Sequence, residues 1–387
     1  MARSLPGPRG RARRAAGALV TSRPVKRASS LVRLSVALVA SAVAVIAAAS
    51  PGSAASAKNP YPNDRKLSIT DVQMLGTHNS YHLRPGGTAQ GSESDYTHPS
   101  LDVQLSEQGV RSLEIDAFNG PTFPVLHSII VDQDSNCATV SACLGTIAKW
   151  SKANPGHVPL VLFIETKALP TNSIPAVQAV IDGYVRDNHF ANWDAAAFDR
   201  LDKTVRAAFG KTLITPDEVR GHRATLREAV MRDGWPTLAR TRGDVLVVLN
   251  AVGDMHNTYL LGHPSLRGRP MFLPSAPDEP SAAIIKRDVP QPNHFPALAR
   301  AGFLLKTQAD SNTKEAYADD LTRATVALQS GAHVVATDYP VADPKVGPYL
   351  VDLPGTAVVR CNPVTAPKFC KDTDLENARG LKQPQKG

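Results

Sequence analysis

The sequence predicts a single (β/α)8 barrel, and three observations lead there. Apolar runs of strand length recur eight times: Val72 to Thr77, Val110 to Phe118, Pro124 to His127, Leu160 to Thr166, Thr212 to Thr215, Val245 to Asn250, Phe303 to Thr307 and Val334 to Asp338. Several of these, such as Leu160-Val161-Leu162-Phe163-Ile164, are continuous rather than alternating, so both faces are covered, as in parallel strands under helices. Helical apolar spacing fills the gaps between them. Eight strands alternating with helices over this length make a barrel by arithmetic, with one or two crossovers irregular.

Taken in order, residues 1–57 read as an export leader: a basic stretch, the apolar run Leu34 to Ala49, then Ala55-Ser56-Ala57, with cleavage expected after Ala57. The rival reading is an uncleaved anchor, but the run falls at the lower limit of the roughly 20 residues needed to span a bilayer. Arg13-Arg14 lacks the polar and aromatic context of a twin-arginine signal, and the export route stays open. The chain has 43 Lys and Arg against 35 Asp and Glu, a formal charge of +8, but nine of the basic residues and none of the acidic ones lie in the leader. The mature chain is therefore near −1, and nucleic acid loses its compositional support as a partner.

After the leader, residues 58–387 form one expected domain without internal repeats. The connection from the second run to the third is too short for a helix. Ile174 to Asp187, Trp193 to Phe209 and Glu315 to Ser330 have helical spacing, and Gly331 stops the last. The Pro-rich stretch from Gly253 to Pro290 follows a strand and belongs on the rim. It is read first as a self-packed excursion and second as a membrane contact. Four cysteines in an exported chain favour disulfides. Of the three connectivities, the local pairs Cys137 with Cys143 and Cys361 with Cys370 are preferred because each closes a short polar or Pro-containing loop. The Pro-rich tail after Leu353 is expected to cap the barrel, with its Lys-rich last residues mobile.

The chemistry gathers at strand ends. His78 and Asn79 end the first run, Glu114 and Asp116 the second, His127 the third and Glu165 the fourth, so all six meet at one quarter of the barrel mouth. Glu114 and Asp116 are two apart and share one side of an extended strand. With Asn79 and Glu165 they offer an all-oxygen set that suits Ca²⁺ or Mg²⁺ better than zinc. Each residue alone has a bland reading: a hydrogen-bonded structural His, a capping Glu, or a Glu165 that simply pairs with Lys167. The ordered set, not any member, carries the inference.

The series T-H-N-S-Y, E-I-D, a His eleven residues beyond that Asp, and L-F-I-E-T-K resembles the calcium-dependent phosphoinositide-specific phospholipase C family, particularly its compact secreted bacterial branch. L-L-K-T-Q-A-D (Leu304 to Asp310) and V-A-T-D-Y-P (Val335 to Pro340) resemble its last two barrel strands. The resemblance spans essentially the whole mature chain, without pleckstrin, EF-hand or C2-like modules. It implies that His78 and His127 are catalytic and that Asn79, Glu114, Asp116 and Glu165 ligate Ca²⁺. Glu114 then takes the proton of the inositol 2-hydroxyl, His127 protonates the departing diacylglycerol oxygen, and His78 bonds the developing phosphorane, the two histidine roles being interchangeable at this stage. An inositol cyclic phosphate is the expected first product. Lys167, Lys306 and Asp338 are candidate substrate contacts, or equally mouth-side ion pairs. The expected partner is unphosphorylated phosphatidylinositol at a membrane surface, met by a secreted monomer. His82, His98, His256 and His333 are read as structural.

Three competitors remain. A glycerophosphodiester phosphodiesterase would carry His-Arg-Gly and Pro-Glu-Asn-Thr runs that are absent here, and a metal-free phospholipase would put a basic side chain in place of the cation. A non-catalytic inositol-lipid-binding barrel would be expected to have lost one of the six residues.

Overall fold

The structure, a computed structural model, describes residues 61–355 and 358–376. The leader, its cleavage near Ala57 and the Lys-rich last residues lie outside them. Eight parallel strands are formed by β1 (Val72–Thr77), β2 (Ser112–Ala117), β3 (Leu160–Thr166), β4 (Leu213–Ile214), β5 (Val245–Asn250), β6 (Ile284–Lys286), β7 (Leu304–Gln308) and β8 (Val334–Thr337). Their order in the sheet is β4-β5-β3-β2-β1-β8-β7-β6. Nearly every strand residue is buried, the physical counterpart of the continuous apolar runs. The helices that cover the strands include α1 (Leu101–Glu107), α2 (Val140–Ala153) and α4 (Ala195–Phe209), whereas α3 (Pro175–Asp187) buries only Ile181, in a small cluster with Phe118, Leu126, Ile129 and Phe190. Among the described residues no helix is long and apolar enough to cross a membrane.

The sequence expectation fails at the third run. Pro124 to His127 is not a strand; it makes only isolated antiparallel bridges, Ala117 to Val125 and Pro124 to Thr139. Pro124 has no N–H to give a ladder, and Val125 N–H turns to the Ala138 carbonyl instead. The chain from β2 to β3 thus contains the whole of α2. The missing stave comes from the Pro-rich excursion, in which Phe272 bridges Val248 of β5 and Pro274 bridges Ile284 of β6, both parallel. Tyr259, Met271, Phe272 and Leu273 there are fully buried in the core of the barrel itself while Leu261 is exposed, so the stretch is part of the barrel and not an excursion packed on a small core of its own. The short β6 within it escaped the sequence reading, and β4 lies outside β5 instead of between β3 and β5.

Glu315 to Ser330 is two helices, Lys314–Ala318 and Thr322–Gln329, because Asp319 turns left-handed at φ 48° and Asp320 caps Thr322. The tail adds β9 (Val359–Cys361), antiparallel to the first half of β1, at the end of the barrel opposite the mouth. Both local disulfides, Cys137 with Cys143 and Cys361 with Cys370, are formed.

Candidate active site

The turn after β1 positions the first residues. Asn79 sits at φ 42°, a left-handed conformation that asparagine tolerates better than most residues, and it turns the chain back over the strand ends. Ser80 then grips β2 from both sides: its N–H donates to the Glu114 carbonyl (2.7 Å) and its Oγ accepts the Glu114 N–H (2.8 Å). Gln104 of α1 donates to the Ser80 carbonyl at 2.7 Å and accepts from Thr77 Oγ1 at 2.7 Å. The Asn79 amide donates through Nδ2 to the hydroxyl of buried Tyr96 at 3.0 Å, which leaves Oδ1 as the atom available to a cation.

Strand register brings the carboxylates together. In the β2–β3 ladder Asp116 lies opposite Glu165, and in the β3–β5 ladder Glu165 lies opposite Asn250. Glu165 accepts from Lys167 Nζ at 3.2 Å and from Asn250 Nδ2 at 2.7 Å. Asp116 Oδ2 accepts from Tyr81 Oη at 2.9 Å and pairs with Lys167 Nζ at 3.1 Å. Glu114 Oε2 accepts from Lys306 Nζ at 2.6 Å. The remaining oxygens, Glu114 Oε1 and Asp116 Oδ1, are buried with no hydrogen-bond partner. Burial works against the Glu114 carboxylate, but the Lys306 and Lys286 ammoniums hold it well below its ordinary range. Asp116 is pushed the other way, by burial and then by the Glu165 charge.

Each histidine is fixed through Nδ1 by a buried aspartate. His78 Nδ1 is 3.0 Å from Asp338 Oδ1, and His127 Nδ1 is 3.0 Å from Asp132 Oδ2. Both rings are part-exposed, and bonding through Nδ1 leaves Nε2 for a substrate. Burial opposes the charged form of His78, but the charge and hydrogen bond of Asp338, helped by Glu114, raise its pKa to about 9. Asp132 Oδ2 also receives Ser94 Oγ at 2.7 Å and His82 Nε2 at 3.0 Å. The His82 ring stacks on Tyr96 with centroids 4.3 Å apart, so one packed series runs from His127 through Asp132, His82 and Tyr96 to Asn79.

All nine residues singled out from the sequence lie at or beside the mouth, with one change of support: His127 stands on a loop. Lys306, Lys167 and Asp338 each bond a member of the set, namely Glu114, Asp116 with Glu165, and His78. Asp132, Asn250, Tyr81 and Tyr96 were missed. Tyr81 closes the T-H-N-S-Y run and Asn250 ends the sixth apolar run, though neither run marks their roles, and Asp132, five residues after His127, has no signal of its own. The residues fit a hard cation: the donors are all oxygen and two buried carboxylate oxygens stand unpaired. Among the described residues no three His, Cys, Asp or Glu side chains close round a common point as they stand, because Lys167 and Lys306 divide the carboxylates between them.

A family model described as phosphoinositide phospholipase C, Ca²⁺-dependent, matches residues 67–122 and 117–363. No curated protein sequence matches the chain. Among solved structures, a calcium-dependent phosphoinositol-specific phospholipase C from the Gram-negative bacterium Pseudomonas sp, in its apo form, aligns at TM-score 0.52 with 17% identity, over 78% of this chain and 97% of that one. A Ca²⁺-dependent phosphatidylinositol-specific phospholipase C from Streptomyces antibioticus aligns at TM-score 0.49 with 20% identity, over 71% of this chain and 95% of that one.

Proposed function

The chain belongs to the calcium-dependent phosphoinositide phospholipase C family, and from that premise we propose how its residues divide the work of phosphodiester cleavage. What supports the assignment above all is one arrangement: two imidazoles, each bonded through Nδ1 to a buried aspartate, beside carboxylates that keep unpaired buried oxygens. Asn79, Glu114, Asp116 and Glu165 would hold Ca²⁺, which when bound supplies positive charge at the phosphate and lowers the pKa of a ligated hydroxyl. Glu114 accepts the proton of the inositol 2-hydroxyl that attacks phosphorus. His78, charged at neutral pH because of Asp338, donates to the phosphate oxygen on which negative charge builds. His127, whose Nδ1–H is held by Asp132, acts in its doubly protonated form: it gives its Nε2 proton to the departing diacylglycerol oxygen and returns to the neutral Nδ1–H tautomer. We assign the phosphate contact to His78 and the proton donation to His127, roles that the sequence left interchangeable, and the raised pKa of His78 supports that division.

The lipid would be met at the mouth, where Ile130 and Val131 are 40% and 75% exposed on the loop that carries His127, and Val252 and Val289 are exposed after β5 and β6. Two disulfides, with no free cysteine among the described residues, suit an oxidising compartment and support export. The decisive experiment is phosphorus NMR of the products from phosphatidylinositol during a calcium titration, with a chelator control. A cyclic phosphate signal that rises with calcium is expected. A monoester formed without a cyclic precursor, or cleavage that resists the chelator, refutes the mechanism.

A further inference from the structure

The site carries its own cations, and the two are held differently. Lys306 is 1% exposed, with Nζ 2.6 Å from Glu114 Oε2 and 4.3 Å from the Phe163 ring centroid, so it is a fixed part of the core. Lys167 bridges two strands, reaching Asp116 Oδ2 at 3.1 Å and Glu165 Oε1 at 3.2 Å, and its side chain is 23% exposed. Its backbone is pinned, since its N–H donates to the Ala117 carbonyl and its own carbonyl accepts Trp193 Nε1 at 3.1 Å. Only the side chain is free to leave.

We propose that Lys167 is a tethered counter-ion that competes with Ca²⁺ for Asp116 and Glu165 and is turned out toward solvent when the ion enters, while Lys306 stays on Glu114. The proposal rests on the ligand set assigned above. Asp116 and Glu165 are direct neighbours across the ladder, and the ammonium now occupies the space between their oxygens. A divalent ion bound to those oxygens at about 2.4 Å would lie within a few ångström of the ammonium, where like charges repel strongly even at a partly solvated site. Lys167 has a path to solvent and Lys306 has none. With Lys167 in place, three carboxylates are bonded to two ammoniums and the Lys286 ammonium adds its charge near Glu114, so the cation-free site is nearly neutral. The same lysine then sets the calcium concentration at which the site fills.

The test is calorimetric titration of the full chain with calcium chloride, at fixed ionic strength and without substrate. Lys167→Met is expected to tighten calcium binding by about tenfold, because one positive charge beside the ion is gone. Lys167→Arg keeps the charge and is expected to stay within about twofold of the parent chain. Asp116→Asn is expected to weaken binding by at least about tenfold. In the parent chain, calcium should also shift the ε-carbon NMR resonance of Lys167, assigned by its loss in Lys167→Arg, a readout that stands even if Lys167→Met fails to fold. Unchanged or weaker binding in Lys167→Met, or a Lys167 resonance indifferent to calcium, overturns the counter-ion proposal alone when Asp116→Asn still weakens binding. If Asp116→Asn binds calcium like the parent, the ligand assignment falls and the proposal with it.

Discussion

His333 makes the stability of the barrel depend on pH in a way that one substitution isolates. The residue precedes β8 and is 0% exposed. Its Nδ1 accepts the Leu305 N–H at 2.9 Å and its Nε2 faces the Thr70 carbonyl at 3.0 Å, so the neutral ring with its proton on Nε2 satisfies both partners. A second proton would set one N–H against another, and burial already pushes the ring down to about 4. A folded pKa below the unfolded one means that the unfolded chain binds more protons between about pH 6.5 and 4, so the contribution is intact above 6.5 and is lost as pH falls. The ionisation penalty reaches about 2 kcal/mol at pH 5 and about 3 kcal/mol at pH 4. Total stability does not reveal it, because His98 is also lowered to about 4 while Asp244 and Asp310 are raised, to about 6 and about 7, and those acids act in the opposite sense. The difference between the parent and His333→Asn does. Asparagine keeps an acceptor for Leu305 and loses the Thr70 bond, which costs about 1 kcal/mol at pH 8. Urea unfolding at each pH should therefore show two stability curves that cross between about pH 6 and 5, the variant being the more stable at pH 5. Parallel curves across pH 8 to 5 would refute the reasoning.

Further expectations concern the site. Asp132→Asn should lower kcat by about a hundredfold with KM changed less than about threefold in steady-state assays, since His127 loses its orienting charge; a change confined to KM would count against that role. Lys306→Met leaves the buried Glu114 carboxylate without its partner and should cost about 3–5 kcal/mol in urea unfolding. The double variant Glu114→Gln with Lys306→Met should recover most of that loss while staying inactive, and losses that simply add would show that the two are not coupled. Ile130→Asp with Val131→Asp should weaken sedimentation with phosphatidylinositol vesicles by at least about fivefold and leave turnover of a soluble inositol phosphodiester unchanged. Equal vesicle binding would remove that loop from the membrane-facing surface.

The sequence carried the part of this site that depends on local pattern. The runs Val72 to Thr77 and Leu160 to Thr166 are β1 and β3, and β2 lies within Val110 to Phe118; a strand buried on both faces has one reading and its end is marked by the first polar residues. His78, Asn79, Glu114, Asp116 and Glu165 follow from that alone. His127 was read as the end of the third apolar run, but that expected strand was wrong, because three apolar residues beginning with proline do not build a ladder. Asp132 was invisible for a different reason. Its partners His127 and His82 are 5 and 50 residues away, and only the folded loop brings them to one oxygen. Asn250 shows the same limit, since its value comes from standing opposite Glu165 in the β3–β5 ladder, an order that required β4 to be displaced.

The two histidines therefore reach comparable positions by unlike means. His78 follows β1 directly, and its geometry is inherited from the barrel. His127 stands on a loop, where the proton donor proposed above would still have to be held to within about 0.5 Å. The loop is tied accordingly. Ser128 N–H donates to the Asp132 carbonyl at 2.8 Å, Asn136 N–H reaches the Tyr81 carbonyl at 2.8 Å, and the Asn136 amide reaches the Ser80 and Pro99 carbonyls at 2.9 and 2.8 Å. The Cys137 to Cys143 disulfide joins the end of this loop to the first turn of α2. Asn136, next to Cys137, is the residue bonded to the Ser80 and Tyr81 carbonyls, and Ser80 also clamps Glu114. The loop is thus referenced to the turn that carries His78 and Asn79, so both imidazoles and the carboxylates share one frame. A disulfide in that place serves the precision of the site more than the stability of the barrel, whose core strands are paired without it.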